Sequence, residues 1–436
     1  MFERASVRFT SRLSMLMLLG IATGAANAAK PGSAVDVPKV AGRSASMVIF
    51  GDSGYIPSYE RLDEDEPPLR SLGDYLAAEA RDWLERNPSL DGFTPTPWTF
   101  ETALGSYMPA SGLYPVAWAM DEQCRRAGCD FGVMLGDNIY PDGATLGTDG
   151  IDDERRFSDM LDKPFGRLGA GTAGFAIYAM LGNHDWRHSR EGALAQVQYL
   201  QRHPNFRMPG LFYRTVPPGL EGEVEVFVID TEMLLASTTV QKDELDEHGN
   251  ELQTGGLETW DAHIRPQTDE ERAMADWLVR ALAGSTARWK LVFGHHALWS
   301  GGGSKYEKAR SLRRLLLPAL CRHADAYFAG DDHMLEVYTD DCAAVDGSPA
   351  APLPLMVSGA AGKYRPLHPL FMAQQAKNNP QIRNLWSKGS TWGFMWARLA
   401  GDKLELQVFT TPSDLSGRPV LEAQFEFPRR TAPAGR

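Results

Sequence analysis

The stretch FGVMLGDNIY, residues 131–140, follows a rule that four other segments of the chain repeat. A short apolar run ends in a glycine, and polar residues able to bind metals follow at once. Residues 47–50 run in the same way into Gly51-Asp52-Ser53-Gly54, and 176–181 into Gly182-Asn183-His184-Asp185. The rule returns where 291–293 meet Gly294-His295-His296 and where 326–329 meet Gly330-Asp331-Asp332-His333. Continuous apolar runs of this length suit strands buried on both faces. Ligands of α/β sheets sit beyond the carboxyl ends of such strands, where these polar residues fall, and glycine lets the backbone turn sharply there.

Helical patterns at 113–127, 191–202, 269–283 and 306–322 separate the runs. Residues 224–229 and 353–357 add strands without a ligand-rich ending, and 394–399 with 403–410, joined through Gly401-Asp402, read as a hairpin. The expected fold is α/β, with two facing mixed β-sheets flanked by helices in four layers, α-β-β-α. Two segments stand outside the rule. Residues 56–112 hold an acidic, proline-bearing stretch (RLDEDEPP, 61–68), a helical pattern near 69–86 and a loop rich in Pro, Thr and Trp. Residues 363–391 hold basic and aromatic side chains, among them Tyr364, Arg365, His368, Phe371 and Trp386. Long loops near a site carry specificity or cover a sheet edge.

Asp, Asn, His and Tyr supply oxygen and nitrogen donors suited to iron, manganese and zinc. A carboxylate such as Asp137 can bridge two ions. With the ions roughly 3.5 to 4 Å apart, a water between them loses its proton near neutral pH and attacks phosphorus in line. A lone Asp after a strand usually caps a helix. It is the order of the blocks, each after its own strand, that points to a metal centre.

Taken together, GDSG, GDNIY, GNHD, GHH and GDDH resemble the calcineurin-like metallophosphoesterases, which have a metallophosphoesterase sandwich fold. Within that superfamily they are most similar to the purple acid phosphatases of the small tartrate-resistant type, because Tyr140 stands three residues after Asp137. NFRMPGLFY (205–213), FVIDTEML (227–234), GHHALWS (294–300) and LMVSGAAG (355–362) extend the resemblance. It implies that Asp52, Tyr140 and His333 hold a first metal, Fe(III) in that family, and that Asp137 bridges. Asn183 and His295 would hold a divalent second ion, manganese, iron or zinc. His184 would contact the phosphate, with Asp185 orienting it. The implied activity is an acid phosphatase hydrolysing phosphate monoesters through a metal-bridging hydroxide. A phosphodiesterase or nucleotide hydrolase on the same centre is the nearest alternative, and a non-catalytic phosphate binder a more distant one. His296 is given a supporting place behind the ligands, while Trp299, His188, His263 and His323 read as structural or surface residues.

Two departures from the family pattern bear on this reading. The fifth block has Asp331 where the family has a histidine, so a carboxylate could ligate the second metal and make the centre one unit less positive. The family's second active-site histidine, nine residues after His295, is Ser304 here, which leaves Lys305, Lys308 or His368 to protonate a leaving group.

Residues 1–28 read as a secretory signal. Arg4, Arg8 and Arg12 precede the apolar run 13–21, and Ala26-Asn27-Ala28 supplies a cleavage pattern ahead of Ala29. The run is far shorter than the roughly 20 residues a membrane span needs. A flexible segment at 29–43, a catalytic domain at 44–428 and a tail at 429–436 are expected to follow, in a periplasmic or secreted protein. Removing the leader leaves 41 basic against 55 acidic residues, a formal charge of −14 in place of −12. Such a chain repels nucleic acid and anionic lipid, so its expected partners are small phosphate esters, with no nucleic acid and no membrane after cleavage. Oligomeric state is not legible in the sequence. Export permits disulfides: Cys321 with Cys342 is the favoured pair, and Cys124 with Cys129, or four free thiols, remain open.

Overall fold

The structure, a computed structural model, describes residues 43–430 apart from 60–72, 253–255, 413–415 and scattered positions between 74 and 110. The expected leader, nearly all of 29–43, the end of the tail and much of the helix near 69–86 lie outside the described residues.

In chain order the strands begin with β1 (Ala45–Phe50), the short hairpin of β2 (Thr99–Glu101) and β3 (Tyr107–Pro109), β4 (Phe131–Met134), β5 (Ile177–Ala179) and β6 (Phe206–Arg207). There follow β7 (Tyr213–Thr215), β8 (Val224–Val228), β9 (Trp289–Phe293), β10 (Ala326–Ala329) and β11 (Leu335–Asp340). The last are β12 (Leu353–Ser358), β13 (Ile382–Lys388), β14 (Gly393–Ala400), β15 (Lys403–Thr410) and β16 (Val420–Pro428).

Fourteen of these form two seven-stranded mixed sheets, ordered β16-β15-β14-β1-β4-β5-β6 and β13-β11-β12-β10-β9-β8-β7. In the first, β1, β4, β5 and β6 run parallel, and in the second β8, β9, β10 and β12 do. Helices lie outside, so the central strands are covered on both faces. That is why β1, β4 and β10 are apolar without alternation and buried throughout. The two sheets meet where Ser358 Oγ, at the end of β12, donates to Ile49 O of β1 at 2.9 Å. The expected pair of facing mixed sheets with flanking helices is the fold observed.

The helix Leu113–Ala127 shows how the outer layers form. Leu113, Val116, Ala117, Met120 and Cys124 recur at helical spacing and are buried, while Arg125 and Arg126 stand in its last turn. The helix expected at 269–283 instead divides into Asp269–Arg272 and Met274–Gly284. Thr268 and Glu271 make a reciprocal capping box around the short first piece, and Ala273 leaves helical geometry.

The segment 363–391 is more regular than a covering loop. It contains the helix Pro369–Asn378, started by Pro369 and capped by His368 Nδ1, which accepts from Phe371 N. It then supplies β13, the edge strand paired with β11. Strand β16 was not expected, because its exposed edge position leaves few buried apolar residues to reveal it. Both disulfides, Cys124–Cys129 and Cys321–Cys342, are formed, which removes the free-thiol alternative. Arg430, within the expected tail, is buried and caps the helix Tyr306–His323 by donating to Leu320 O, Cys321 O and Ala324 O. Among the described residues no helix is long and apolar enough to cross a membrane.

Candidate metal centre

The strand ends that the sequence singled out converge on one buried place between the two sheets. Asp52, Asp137 and Asp331 each follow a glycine after a parallel strand, and each takes a left-handed φ, of +57°, +51° and +65°. That conformation is costly for most side-chain-bearing residues and least so for Asp and Asn. Gly182 allows the GNHD turn to close on the others: a Cβ there would lie 2.3 Å from Asp137 Oδ1 and 2.7 Å from His295 Cε1.

Tyr140 sits at the middle of the first half. Its hydroxyl donates to Asp137 Oδ2 at 2.8 Å and lies 3.2 Å from both Asp52 Oδ1 and His333 Nε2. His333 Nε2 is 3.4 Å from Asp52 Oδ1, and donor atoms of Asp52, Asp137 and His333 all fall within 4.8 Å of one another. The second half gathers around His295, whose Nε2 lies 3.2 Å from Asn183 Oδ1, 3.4 Å from Asp137 Oδ1 and 3.7 Å from Asp331 Oδ1. Asp137 is shared, with one oxygen toward each half.

Burial shapes the charge of this cluster. Burial, and then the Asp137 and Asp331 carboxylates, raise the Asp52 acid well above its ordinary range. Burial, then Asp137 and Asp52, push the Tyr140 phenol well above its own. Asp137 is held at about 2, for although burial opposes its charge, His295, His184 and the His184 amide favour the anion. Left to themselves, the Asp52 carboxyl and the Tyr140 phenol retain their protons beside the Asp137 anion; a cation among the same atoms reverses that balance. Hard oxygen donors with two imidazoles fit iron, manganese or zinc, so the residues present suit a metal pair.

Comparison with known proteins decides the family. The sequence model of the calcineurin-like phosphoesterases matches residues 103–335, more than half of the chain. The chain belongs to that family. Similar curated proteins include purple acid phosphatase 17 of Arabidopsis thaliana, 28% identical over 294 residues, which are 67% of this chain and 74% of that protein. Purple acid phosphatase 4 of the same plant is 27% identical over 333 residues, 73% of this chain and 83% of that one. The solved structure of GAP50, the anchor in the inner membrane complex of Plasmodium, superposes with a TM-score of 0.54 at 14% identity, covering 89% of this chain and 90% of that one. That last likeness is one of fold alone. Relatives of this kind imply a metal-dependent hydrolase of phosphate esters with a dinuclear centre.

All nine residues singled out from the sequence lie in or against this metallophosphoesterase site, but their partners amend two readings. Asp185 does not orient His184. Its carboxyl accepts from the amides of Gly182, Asn138 and Ile139 and so fastens the GNHD turn to the GDNIY turn. His184 is steadied by Pro141 O, 2.6 Å from its Nδ1, and its own amide donates to Asp137 Oδ1 at 2.8 Å. The second amendment concerns charge. Lys305 pairs with the Asp331 carboxylate and donates to Asp331 O at 2.9 Å, so the carboxylate does not leave the phosphoesterase centre one unit less positive.

Of the candidate proton donors, His368 caps a helix, whereas Lys308, with Nζ 6.0 Å from the Trp260 ring, lines an opening shared with Asn183 and Glu232. His296 is turned toward Thr231 Oγ1, 2.8 Å from its Nδ1, in keeping with a supporting place. His263 contacts Trp186 O, His188 contacts Thr148, and Trp299 packs under Arg313, all structural arrangements. Lys363 was not singled out, and Arg365 was noted only as part of a basic segment. The signal lay in position: GAAGKYR follows β12 as the other blocks follow their strands.

Proposed function

We propose that this protein is a purple acid phosphatase of the small tartrate-resistant type, hydrolysing phosphate monoesters at a dinuclear metal centre. The observation that carries the reading is the placement of Tyr140, whose hydroxyl lies among Asp137, Asp52 and His333. Asp52, Tyr140 and His333 would hold one ion, Fe(III), and Asn183, His295 and Asp331 a divalent one, with Asp137 shared. Such a pair, when bound, activates water and screens the charge of the phosphate.

The protein's own groups prepare the rest. Leu135 O can only accept, so the 2.8 Å contact fixes the proton of His295 on Nδ1 and leaves Nε2 a lone pair for a metal. Pro141 O fixes the proton of His184 on Nδ1 by the same logic. Burial brings the His184 imidazole down to about 4, so the free ring is neutral near pH 6. An arriving phosphate adds negative charge beside Nε2, favours protonation there and turns it into a donor to a phosphate oxygen.

Two expected results bear on these roles. Iron-loaded, oxidised protein is expected to carry a visible phenolate charge-transfer band that Tyr140→Phe abolishes; a variant that keeps the band removes Tyr140 from the metal. Lys305→Met frees the Asp331 carboxylate and is expected to raise affinity for the second ion about tenfold in competition with a chromophoric chelator. Unchanged or weaker affinity would show that Asp331 is no ligand.

Rates of phenol release, the product common to both substrates, test the activity itself. Phenyl phosphate is expected to be cleaved faster than diphenyl phosphate, and the reverse order would favour the phosphodiesterase reading. The leader at 1–28, cut before Ala29, and a periplasmic or secreted mature chain belong to the same proposal, supported by two formed disulfides that suit an oxidising compartment.

A further inference from the structure

A cavity of about 160 Å³ opens at the amino ends of β9 and β10, the opposite end of these strands from the metal centre. The stretch from Lys290 to His295 puts roughly 16 Å between the two places. At that volume, below the roughly 300 Å³ at which sites for drug-sized molecules begin, the cavity suits a small ion.

Its walls are cationic. Arg288 and Lys290 come from the start of β9, Arg322 and His323 from the last turn of the helix Tyr306–His323, and Arg429 and Arg430 from the chain after β16. The whole chain carries a formal charge of −12, so this gathering runs against its overall sign.

Part of the positive charge is answered within the protein. Asp402 accepts from Arg288 Nη2 at 2.9 Å and from Arg429 Nε at 2.8 Å. Arg430 directs its guanidinium to backbone carbonyls, so the helix end is already capped. Asp325, a buried lining residue, accepts from the amides of Lys290 and Arg430 at 2.8 and 3.1 Å, and burial lifts its acid to about 6.

Lys290 and Arg322 are left over. Among the described residues no carboxylate lies within ion-pair distance of either side chain, and Arg322 Nε donates to Asp346 O at 2.9 Å. His323 registers the excess: burial, then Lys290 and Arg322, push its imidazole below the ordinary range, with no described anion opposing them. Like charges gathered around one imidazole repel, and an anion among them turns that repulsion into attraction. A guanidinium has five N–H donors and an ammonium three, which leaves most of them for a ligand.

We propose that Lys290, Arg322 and His323 form an anion-binding site, separate from the metal centre, for a small doubly charged tetrahedral oxyanion of the phosphate and sulfate kind. Two unanswered cations match two negative charges, and the neutral imidazole adds one N–H donor. Binding there needs neither metal nor turnover.

The test is calorimetric titration of the metal-loaded protein with phosphate and with sulfate in a chloride buffer of low ionic strength. Lys290→Gln and Arg322→Gln are each expected to weaken one equivalent about tenfold, the size of one charge-assisted contact, and together to abolish it. Any equivalent held at the metal centre, and the turnover of phenyl phosphate, should stay unchanged. Lys290→Arg keeps the charge and should retain binding, which separates lost charge from lost structure. An equivalent that survives the double substitution, a loss as large with Lys290→Arg, or no equivalent beyond the metal centre would overturn the site. Should phenyl phosphate not be cleaved at all, the phosphatase reading fails, and the equivalent tied to Lys290 and Arg322 still decides this one. Sulfate binding as tightly as phosphate would assign the site to charge alone, within the proposal, and displacement of both by millimolar chloride would overturn it.

Discussion

Asp137→Ala is expected to lose both metal ions and to lower kcat/KM roughly a thousandfold or more, because the several kcal/mol of charge stabilisation that metals supply leave with them. The size of the effect follows from position. Among the described residues Asp137 is the one carboxylate that reaches both halves, with Oδ2 at the Tyr140 hydroxyl and Oδ1 3.4 Å from His295 Nε2. It also accepts from the His184 amide, so its loss frees the GNHD turn as well. Metal analysis of the purified variant is the check, and two equivalents retained would show that Asp137 does not bridge.

His184→Ala is expected to do the opposite to the metals, keeping both while kcat falls by about 10² to 10³, the usual cost of one lost donor to a developing charge. The bond from residue 184 to Asp137 is made by the backbone amide and survives the substitution. The imidazole itself bonds to Pro141 O and packs on the Tyr140 ring, centroids 4.2 Å apart, with Nε2 3.9 Å from Asp137 Oδ2. A variant that loses metal would place His184 among the ligands, and one that keeps full turnover would remove it from the reaction.

What the sequence showed and what it hid divide along physical lines. The parallel strands are buried on both faces, so β1, β4, β5, β9 and β10 wrote themselves as apolar runs, and a glycine followed by a ligand residue marked each end. Edge strands have no such signature: β13 and β16 are largely exposed and polar, and only their pairing with β11 and β15 makes them strands. The candidate site was legible as a set of residue types, but not the contacts among them. Asp331 announced an extra negative charge, and nothing in the sequence around position 331 could say that Lys305, 26 residues earlier, rests on it. Asp185, beside His184 in the chain, appeared to be its partner, yet successive side chains on one turn point apart and its carboxyl serves three backbone amides instead.

Five strand ends are proposed to assemble a two-metal centre that hydrolyses phosphate esters. The most direct test is metal content measured together with phosphate release from phenyl phosphate before and after chelation. Two equivalents of metal per chain are expected, with release that stops when a chelator removes them and returns when they are restored. Fewer than one equivalent bound, or turnover indifferent to the chelator, would contradict it.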